Sequence, residues 1–187
     1  MMKTHLFLLL LCVLFLFSTC KKEESENCSP TSEIPGTLDS LGLPPATTTG
    51  ANTMGCLING EPWLPLKRNI FGDLRYDISF TVGSQSMGGG VSIQGRQDYD
   101  ELESTIFLYT DPALTEGIYP FTNENDRYIN HNNDCGAYDV DTTYNNIIEI
   151  TRIDFDEEIV SGGFKMRLIN DECDTLLVTN GRFDLST

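Results

Sequence analysis

The stretch that decides the fold is residues 75–82, which read RYDISFTV. Apolar side chains occupy every second position, and Asp77, Ser79 and Thr81 lie between them. Successive side chains of a β-strand point to opposite faces of its sheet, so this alternation predicts a strand with one buried and one solvated face. Residues 164–168, which read FKMRL, repeat the pattern.

Short segments of this kind continue from residue 53 to the C-terminus, and Gly, Asn and Asp separate them. No helical period is sustained there, and Asp98–Ser104 is the candidate for a short helical turn. About eight closely spaced strands predict one all-β domain, a single antiparallel β-sandwich, with a small β-barrel as the alternative. The predicted strands are Met54–Asn59, Arg75–Val82, Val91–Gln94, Thr105–Tyr109, Asn146–Ile153, Gly163–Ile169, Asp174–Thr179 and Arg182–Leu185.

Turns and core residues are also indicated within residues 53–187. The pairs Asn59-Gly60 and Asn180-Gly181 are preferred in type I′ hairpin turns, which need positive φ at both central positions. A domain of about 135 residues should bury roughly two thirds of its unfolded surface. The candidate core aromatic residues are Trp63, Phe71, Phe80, Phe107, Tyr109, Phe121, Phe155, Phe164 and Phe183.

Residues 1–19 have the composition of an export signal. Lys3 precedes an unbroken apolar run at residues 6–17, and the small pair Ser18-Thr19 suits cleavage by a signal peptidase. As a helix, the run spans only about 18 Å against roughly 30 Å of bilayer hydrocarbon. A cleaved signal is therefore favoured over an uncleaved membrane anchor.

The next residues predict a lipid anchor. Residues 17–20, FSTC, resemble a bacterial lipobox, in which the thiol of the cysteine, here Cys20, receives lipid and becomes the new N-terminus. Residues 21–24, KKEE, resemble the tag that sends Bacteroidota-type lipoproteins to the cell surface. The resemblance implies an outer-membrane, lipid-anchored protein that is exposed on the cell surface, with a periplasm-facing protein as the alternative.

Residues 20–52 are predicted to be a flexible linker between the lipid and the domain. They lack a periodic apolar pattern and are rich in Ser, Thr, Pro, Gly and acidic residues. Fully extended, some 30 residues would lift the domain as much as roughly 90 Å off the membrane. The predicted organisation is thus a signal at 1–19, a lipidated linker at 20–52 and a β-domain at 53–187.

Both ends of the domain resemble one family. Residues 54–63, MGCLINGEPW, are similar to the opening hairpin of uncharacterised Bacteroidota-type surface lipoproteins, which begin with a Cys-x-x-Asn-Gly-x-x-Trp pattern. Residues 180–184, NGRFD, are similar to their closing Asn-Gly-x-Phe-Asp hairpin. The resemblance implies a compact β-fold and brings no catalytic residues with it.

The charge excludes one class of partner. The chain has 12 basic and 28 acidic residues and a formal net charge of -16. A nucleic-acid backbone would be repelled by such a protein, and Lys67-Arg68 is the longest basic run beyond the N-terminus. We therefore expect no nucleic-acid partner.

Four cysteines remain once Cys12 leaves with the signal and Cys20 carries lipid. Outside the cytoplasm they favour disulfides, and four cysteines permit three pairings. Cys135 and Cys173 lie in similar polar contexts and are the favoured pair. Cys28 then pairs with Cys56, or both are free. No Cys-x-x-Cys motif points to zinc.

The sequence contains few of the residues that catalysis usually requires, so no catalytic residue and no cofactor is expected. His131 is the one histidine of the mature chain, and it lies in a turn-like Asn-rich segment. Two convergent carboxylates would suffice for a glycosidase, but acidic clusters arise by chance in so acidic a chain. The candidate acids are Asp98, Asp100, Glu101 and Glu103.

A structural calcium ion is the one metal that the sequence suggests. Asp and Asn oxygens are the hard ligands that Ca²⁺ prefers, although EF-hand spacing is absent. Ordinary polar turns are the alternative explanation. The candidate ligands are Asn132, Asp134, Asp139 and Asp141.

Three function classes follow from these features. The first is a non-catalytic surface binding module for glycan or protein, in which exposed tyrosines stack on sugar rings. The second is a structural or accessory subunit of an envelope complex, which would carry an apolar patch on one sheet face. The third, a carboxylate-dependent glycosidase, ranks last. The tyrosines in question are Tyr99, Tyr109, Tyr119, Tyr128, Tyr138 and Tyr144.

Overall fold

The computed structural model describes residues 37–82, 90–99, 102–110, 115–120, 129–131 and 136–187. All of them belong to one compact unit, Ser32–Thr187. The strands are β1 Thr53–Ile58, β2 Glu61–Trp63, β3 Leu66–Arg68, β4 Leu74–Tyr76, β5 Ile78–Val82, β6 Val91–Tyr99, β7 Leu102–Thr110, β8 Gly117–Pro120, β9 Ile129–His131, β10 Ala137–Val140, β11 Ile147–Asp154, β12 Ile159–Asn170 and β13 Cys173–Ser186.

The predicted all-β class is confirmed: two curled sheets pack together, and the described residues contain no helix. One sheet has the order β2-β1-β13-β12-β11-β8. The other has the order β4-β3-β6-β7-β9-β10, and β5 also pairs with β6. Strand β10 pairs with the end of β12 as well, which joins the two sheets. Among these pairings, β3 with β6 is parallel.

The core lies between the sheets and contains buried side chains from both. Met54, Ile93 and Phe183 are among its fully buried members. Trp63 is also buried there, and its indole Nε1 donates to Ser104 Oγ at 2.7 Å, while that hydroxyl donates to Gln97 Oε1 at 3.1 Å. The polar atom of the indole is thus satisfied, as burial requires.

Two of the predicted core aromatic residues that the structure describes are exposed instead, and Phe121 lies outside the described residues. Phe155 follows β11 in a surface turn, where Asp154 accepts backbone hydrogen bonds. Phe71 lies at the tip of a hairpin and is 81% exposed. Both expectations were wrong because turn-forming neighbours, rather than the hydrophobicity of the ring, fix the position of these residues.

Several strand boundaries also differ from the prediction. Asp98–Ser104 is not a helical turn, because Asp98 in β6 pairs with Glu103 in β7. The predicted strand 75–82 is divided at Asp77, whose N–H donates to Pro65 O and whose carbonyl accepts from Arg96 N. Its first part pairs with β3 and its second part with β6.

The two Asn-Gly pairs have different roles. Asn59 and Gly60 both have positive φ, 51° and 91°, and connect β1 to β2, which confirms the predicted tight turn. Asn180 also has a φ of 51°, but β13 continues through it. The register with β12 shifts between the partners of Phe164 and Met166, so this pair forms a bulge and not a hairpin turn.

The predicted boundary between linker and domain at residue 52 is wrong, because residues 37–52 pack on the domain. Leu43 is fully buried in a second apolar cluster with Leu64 and Leu66. Arg182 Nη1 donates to Asp39 Oδ2 at 2.9 Å and to Pro44 O at 2.8 Å. The domain therefore includes this segment, which the sequence assigned to the linker for want of a periodic pattern.

Asp184 fixes the second half of this segment. Its carboxylate is 1% exposed and accepts hydrogen bonds from the hydroxyl groups of Thr47 and Ser161 at 2.6 and 2.7 Å. It also accepts from the amides of Thr49 and Gly50 at 3.0 and 2.8 Å. Burial alone would raise the pKa of Asp184, but these donors outweigh it and lower the pKa to about 2.

Candidate functional site

The candidate site is the hairpin of β3 and β4, residues 66–76, which we call the tip hairpin. Lys67 faces Arg75 across its two strands, and Arg68 faces Leu74. Antiparallel pairing places these residues on adjacent strands about 5 Å apart. The chain reverses direction between them over residues 69–73.

Asn69 organises the turn. Its side-chain Oδ1 accepts from the amides of Phe71 and Asp73 at 2.8 and 3.0 Å. Its own N–H donates to Asp73 O at 2.9 Å, and Gly72 N–H donates to Asn69 O at 3.0 Å. Gly72 has a φ of +88°, a conformation that L side chains rarely adopt. The loop therefore has a defined conformation that does not depend on burial of its apolar side chains.

Two large apolar side chains lie exposed at this turn. Ile70 is 93% exposed and Phe71 is 81% exposed. Single apolar residues on a surface are ordinary, whereas adjacent large ones at the end of a projecting hairpin typically mark an interaction site. Sequence reasoning assigned Phe71 to the core and overlooked Ile70. The flanking residues Asn69, Gly72 and Asp73 were the available signal, since all three types favour turns.

Basic residues lie directly behind the apolar pair. Three of the eight basic residues that the structure describes, Lys67, Arg68 and Arg75, are in the tip hairpin. Lys67 Nζ is 2.8 Å from Asp77 Oδ1, and Arg68 Nη1 donates to Gly72 O at 3.1 Å. All three side chains are exposed. A chain of net charge -16 thus has three basic residues beside the most exposed large apolar side chains of its described part.

The base of the tip hairpin is held by the second apolar cluster. Leu74 and Tyr76 pack against the buried Leu66, and Leu38 packs against the same cluster. Burial raises the pKa of Tyr76 to about 12, and in the described part of the chain its hydroxyl has no hydrogen-bond partner. The start of the described chain and the hairpin therefore pack against one apolar cluster.

A different concave region lies at the turn between β12 and β13. An open cleft of about 600 Å³ is lined by Asn59, Tyr138, Leu176 and the turn residues Asp171–Asp174. A neighbouring cleft of about 290 Å³ shares Asp171 and Glu172. The carboxylates that line these two clefts can accept hydrogen bonds from cationic groups. Tyr138 is only 3% exposed, so the cleft offers little ring surface for stacking on a sugar.

The predicted calcium ligands are not brought together in the described residues. Asp141 is committed to other partners: Thr143 N and Oγ1 donate to its Oδ1 at 2.8 and 2.7 Å, and Arg167 Nε lies 2.6 Å from its Oδ2. The Thr143 hydrogen bonds, followed by Arg167, lower the pKa of Asp141 against the effect of burial. Asp139 is exposed on β10, while Asn132 and Asp134 lie outside the described residues.

No cluster of three or more His, Cys, Asp or Glu side chains in the described ranges is arranged to hold a metal ion. Asp98 and Glu103, two of the candidate glycosidase acids, lie side by side on β6 and β7. Arg96 Nη2 is 2.9 Å from the first carboxylate and 3.6 Å from the second. Both are exposed ion-pair partners on a strand surface. Asp100 and Glu101 lie outside the described residues.

The cysteines are only partly described. Cys56 is a free thiol in the apolar core, so the Cys28–Cys56 pair is not formed. A bridge would require the Cys28 sulfur to enter packed core, and burial also raises the pKa of the Cys56 thiol. Cys173 is disulfide-bonded, and its partner lies outside the described residues. The Cys135–Cys173 pairing therefore stays a prediction, as does lipidation of Cys20.

The tyrosines do not form the exposed set that the sequence suggested. Tyr138 is buried, and Tyr109, Tyr119 and Tyr144 are half-buried. The ring of Tyr144 is covered by the Arg167 guanidinium, 5.0 Å from its centroid. The side chain of Tyr99 and all of Tyr128 lie outside the described part of the chain.

Comparison of the chain with protein families, with curated proteins and with solved structures gave no match. In the part of the chain that the structure describes, no helix has the length and apolar character needed to cross a bilayer.

Proposed function

We propose that this protein is an outer-membrane lipoprotein, anchored through Cys20 and exposed on the cell surface, whose domain is a non-catalytic binding module. The observation that carries the proposal is the tip hairpin, which presents Ile70 and Phe71 almost fully to solvent on a hydrogen-bonded turn. Exposed apolar groups on a fixed loop bind a partner at little ordering cost. The contact element of the module is thus the tip hairpin.

The anchor rests on the sequence alone. The apolar run at 6–17, the lipobox-like residues 17–20 and the charged segment 21–24 support export, lipidation and sorting to the surface, in that order. A lipid anchor of two or three acyl chains would hold the domain firmly at a membrane. Display towards the periplasm is the alternative location.

The other function classes have less support. The tyrosines that were expected to stack on sugar rings give a glycan-binding module little support, because Tyr138 is buried and Tyr144 is covered by Arg167. A glycosidase would need two acids that converge in a cleft, and Asp98 and Glu103 instead flank Arg96 on an open strand surface. An accessory subunit would present an apolar sheet face, whereas the two most exposed large apolar side chains among the described residues lie at a hairpin tip. Partner binding through that tip is therefore preferred.

The test is retention of the unlipidated mature chain on isolated outer membranes of the producing cells. The chain comprises residues 20–187 with Cys20→Ser, so that only the domain can mediate binding. We expect Ile70→Ser/Phe71→Ser to reduce retention by at least about tenfold, because two large apolar contacts are lost. Ile118→Ser is the matched control, since Ile118 is also exposed, at 63%, but lies on β8. Equal retention of the tip variant and the control would refute the proposal.

A further inference from the structure

We propose that the partner of the tip hairpin is the anionic lipid surface to which the chain is tethered, with Ile70 and Phe71 inserted at the headgroup boundary and Lys67, Arg68 and Arg75 among the lipid phosphates. This inference rests on the proposed function and names its partner. Three independent features of the described residues carry it: the spacing along the hairpin, the position of the chain's entry and the distribution of charge.

The spacing along the hairpin matches a bilayer interface. Residues 67 and 68 precede the apolar pair by two to three positions, and Arg75 follows it by four. Lys67 and Arg75 face each other across the two strands, and Arg68 Nη1 donates to Gly72 O, so all three cations lie within a few residues of the apolar pair. Interfacial segments bury their apolar side chains about 5 to 10 Å into the headgroup region, which leaves cations beside them close to the phosphates.

The length of chain before the domain allows the tip hairpin to reach the membrane. Because residues 37–52 belong to the domain, only residues 21–36 separate Cys20 from it, and they can span at most about 55 Å. Leu38, near the entry point, packs against the same cluster as Leu74 and Tyr76 at the base of the hairpin. An anchor at Cys20 and the tip hairpin can therefore reach one bilayer.

The charge distribution selects this contact over others. Residues 66–77 contain three basic and two acidic residues, and Lys67 is paired with Asp77, so this region stays locally cationic while the whole chain carries -16. An anionic surface attracts the tip hairpin by about 1 kcal/mol per nearby Lys or Arg and repels most of the remaining protein. The turn at Asp171–Asp174 is acidic, so an anionic surface would repel it. A lipid surface of negative charge thus favours contact through the tip hairpin.

The test is co-sedimentation of the unlipidated mature chain, residues 20–187 with Cys20→Ser, with phosphatidylcholine vesicles that contain or lack phosphatidylglycerol. We expect binding to the anionic vesicles and at least an about tenfold loss of affinity in Ile70→Ser/Phe71→Ser. Arg75→Gln should reduce the affinity for anionic vesicles about fivefold and leave the affinity for neutral vesicles unchanged. Ile118→Ser and Lys165→Gln are the matched controls, one apolar and one basic, and should bind as the parent does. Circular dichroism checks that each variant is folded.

Three results would overturn the inference. One is equal binding of the parent chain to neutral and anionic vesicles. Another is binding to anionic vesicles that Ile70→Ser/Phe71→Ser leaves unchanged. The third is failure to bind either vesicle while outer membranes still retain the chain through its tip and lose it after protease treatment. That third result would leave the proposed function standing with a protein as the partner. Loss of tip-dependent retention on outer membranes would refute the proposed function itself.

Discussion

Asp184 shows how one buried residue determines where the domain begins. Its carboxylate accepts from the amides of Thr49, Gly50 and Ala51 and from the Thr47 hydroxyl. No local pattern predicts such an arrangement, because the donors lie more than 130 positions away in the chain. The sequence identified Asp184 as the end of a family-like hairpin and missed that it fixes the segment before β1.

The lowered pKa of Asp184 makes stability depend on pH in a defined direction. Its folded pKa of about 2 lies below the unfolded value near 3.9, so its contribution is complete above about pH 4 and disappears as the pH falls towards 2. That contribution is about 2 to 3 kcal/mol. Asp184→Asn should therefore lower the free energy of unfolding at pH 7 by about this amount and much less at pH 2, as measured by urea denaturation.

Asp174→Asn is the matched control for this prediction, since Asp174 is an exposed acid on the same strand. It should change the stability by less than about 0.5 kcal/mol. A loss in Asp184→Asn that is equally large at both pH values would show that packing, and not the charge, accounts for the role of Asp184.

Individual elements follow the sequence where a pattern is repeated and depart from it where a turn intervenes. Ile78 and Phe80 alternate as predicted, and β5 pairs with β6 through them. Phe71 has the same apolar character, but its amide donates to Asn69 Oδ1 in a turn, and its side chain is exposed there because no sheet covers it. Hydrophobicity alone cannot distinguish these cases, because the deciding hydrogen bonds come from neighbouring polar side chains.

The conformation of the tip hairpin should depend on Asn69. Asn69→Ala removes the acceptor of the Phe71 and Asp73 amides, and the loss should cost about 1 kcal/mol. We expect the amides of these two residues to exchange hydrogen markedly faster, while the β12 and β13 amides keep their protection. Site-resolved hydrogen exchange by NMR measures both. Unchanged protection at residues 71 and 73 would mean that Asn69 does not hold the turn.

For the whole molecule, the sequence established the all-β class and the position of most strands but not the extent of the domain. Residues 37–52 contain no periodic apolar pattern, yet Leu43 is fully buried in a cluster with Leu64 and Leu66. A single buried leucine and a set of backbone donors to Asp184 leave no periodic signal. The segment between Cys20 and the domain is consequently shorter than the sequence alone indicated.

Removal of residues 37–52 should therefore destabilise the domain strongly. A chain of residues 53–187 leaves the Asp184 carboxylate with Ser161 as its remaining side-chain donor among the described contacts, and exposes the cluster around Leu66. Compared with residues 37–187, we expect a thermal midpoint lower by more than about 10 °C, or no cooperative transition. Differential scanning calorimetry compares the two chains. Equal thermal midpoints would show that residues 37–52 do not stabilise the domain and belong to the linker.

The central claim is that the tip hairpin contacts the bilayer that carries the lipid anchor. The most direct measurement is quenching of tryptophan fluorescence by bromine-labelled lipids in anionic vesicles, with the lipidated mature chain carrying Phe71→Trp or, as the control, Ile118→Trp. Trp63 is buried and hydrogen-bonded to Ser104, so the parent protein supplies the background. The account predicts strong quenching of Phe71→Trp and none above background for Ile118→Trp. Equal quenching of the two variants, or no quenching of either, would contradict it.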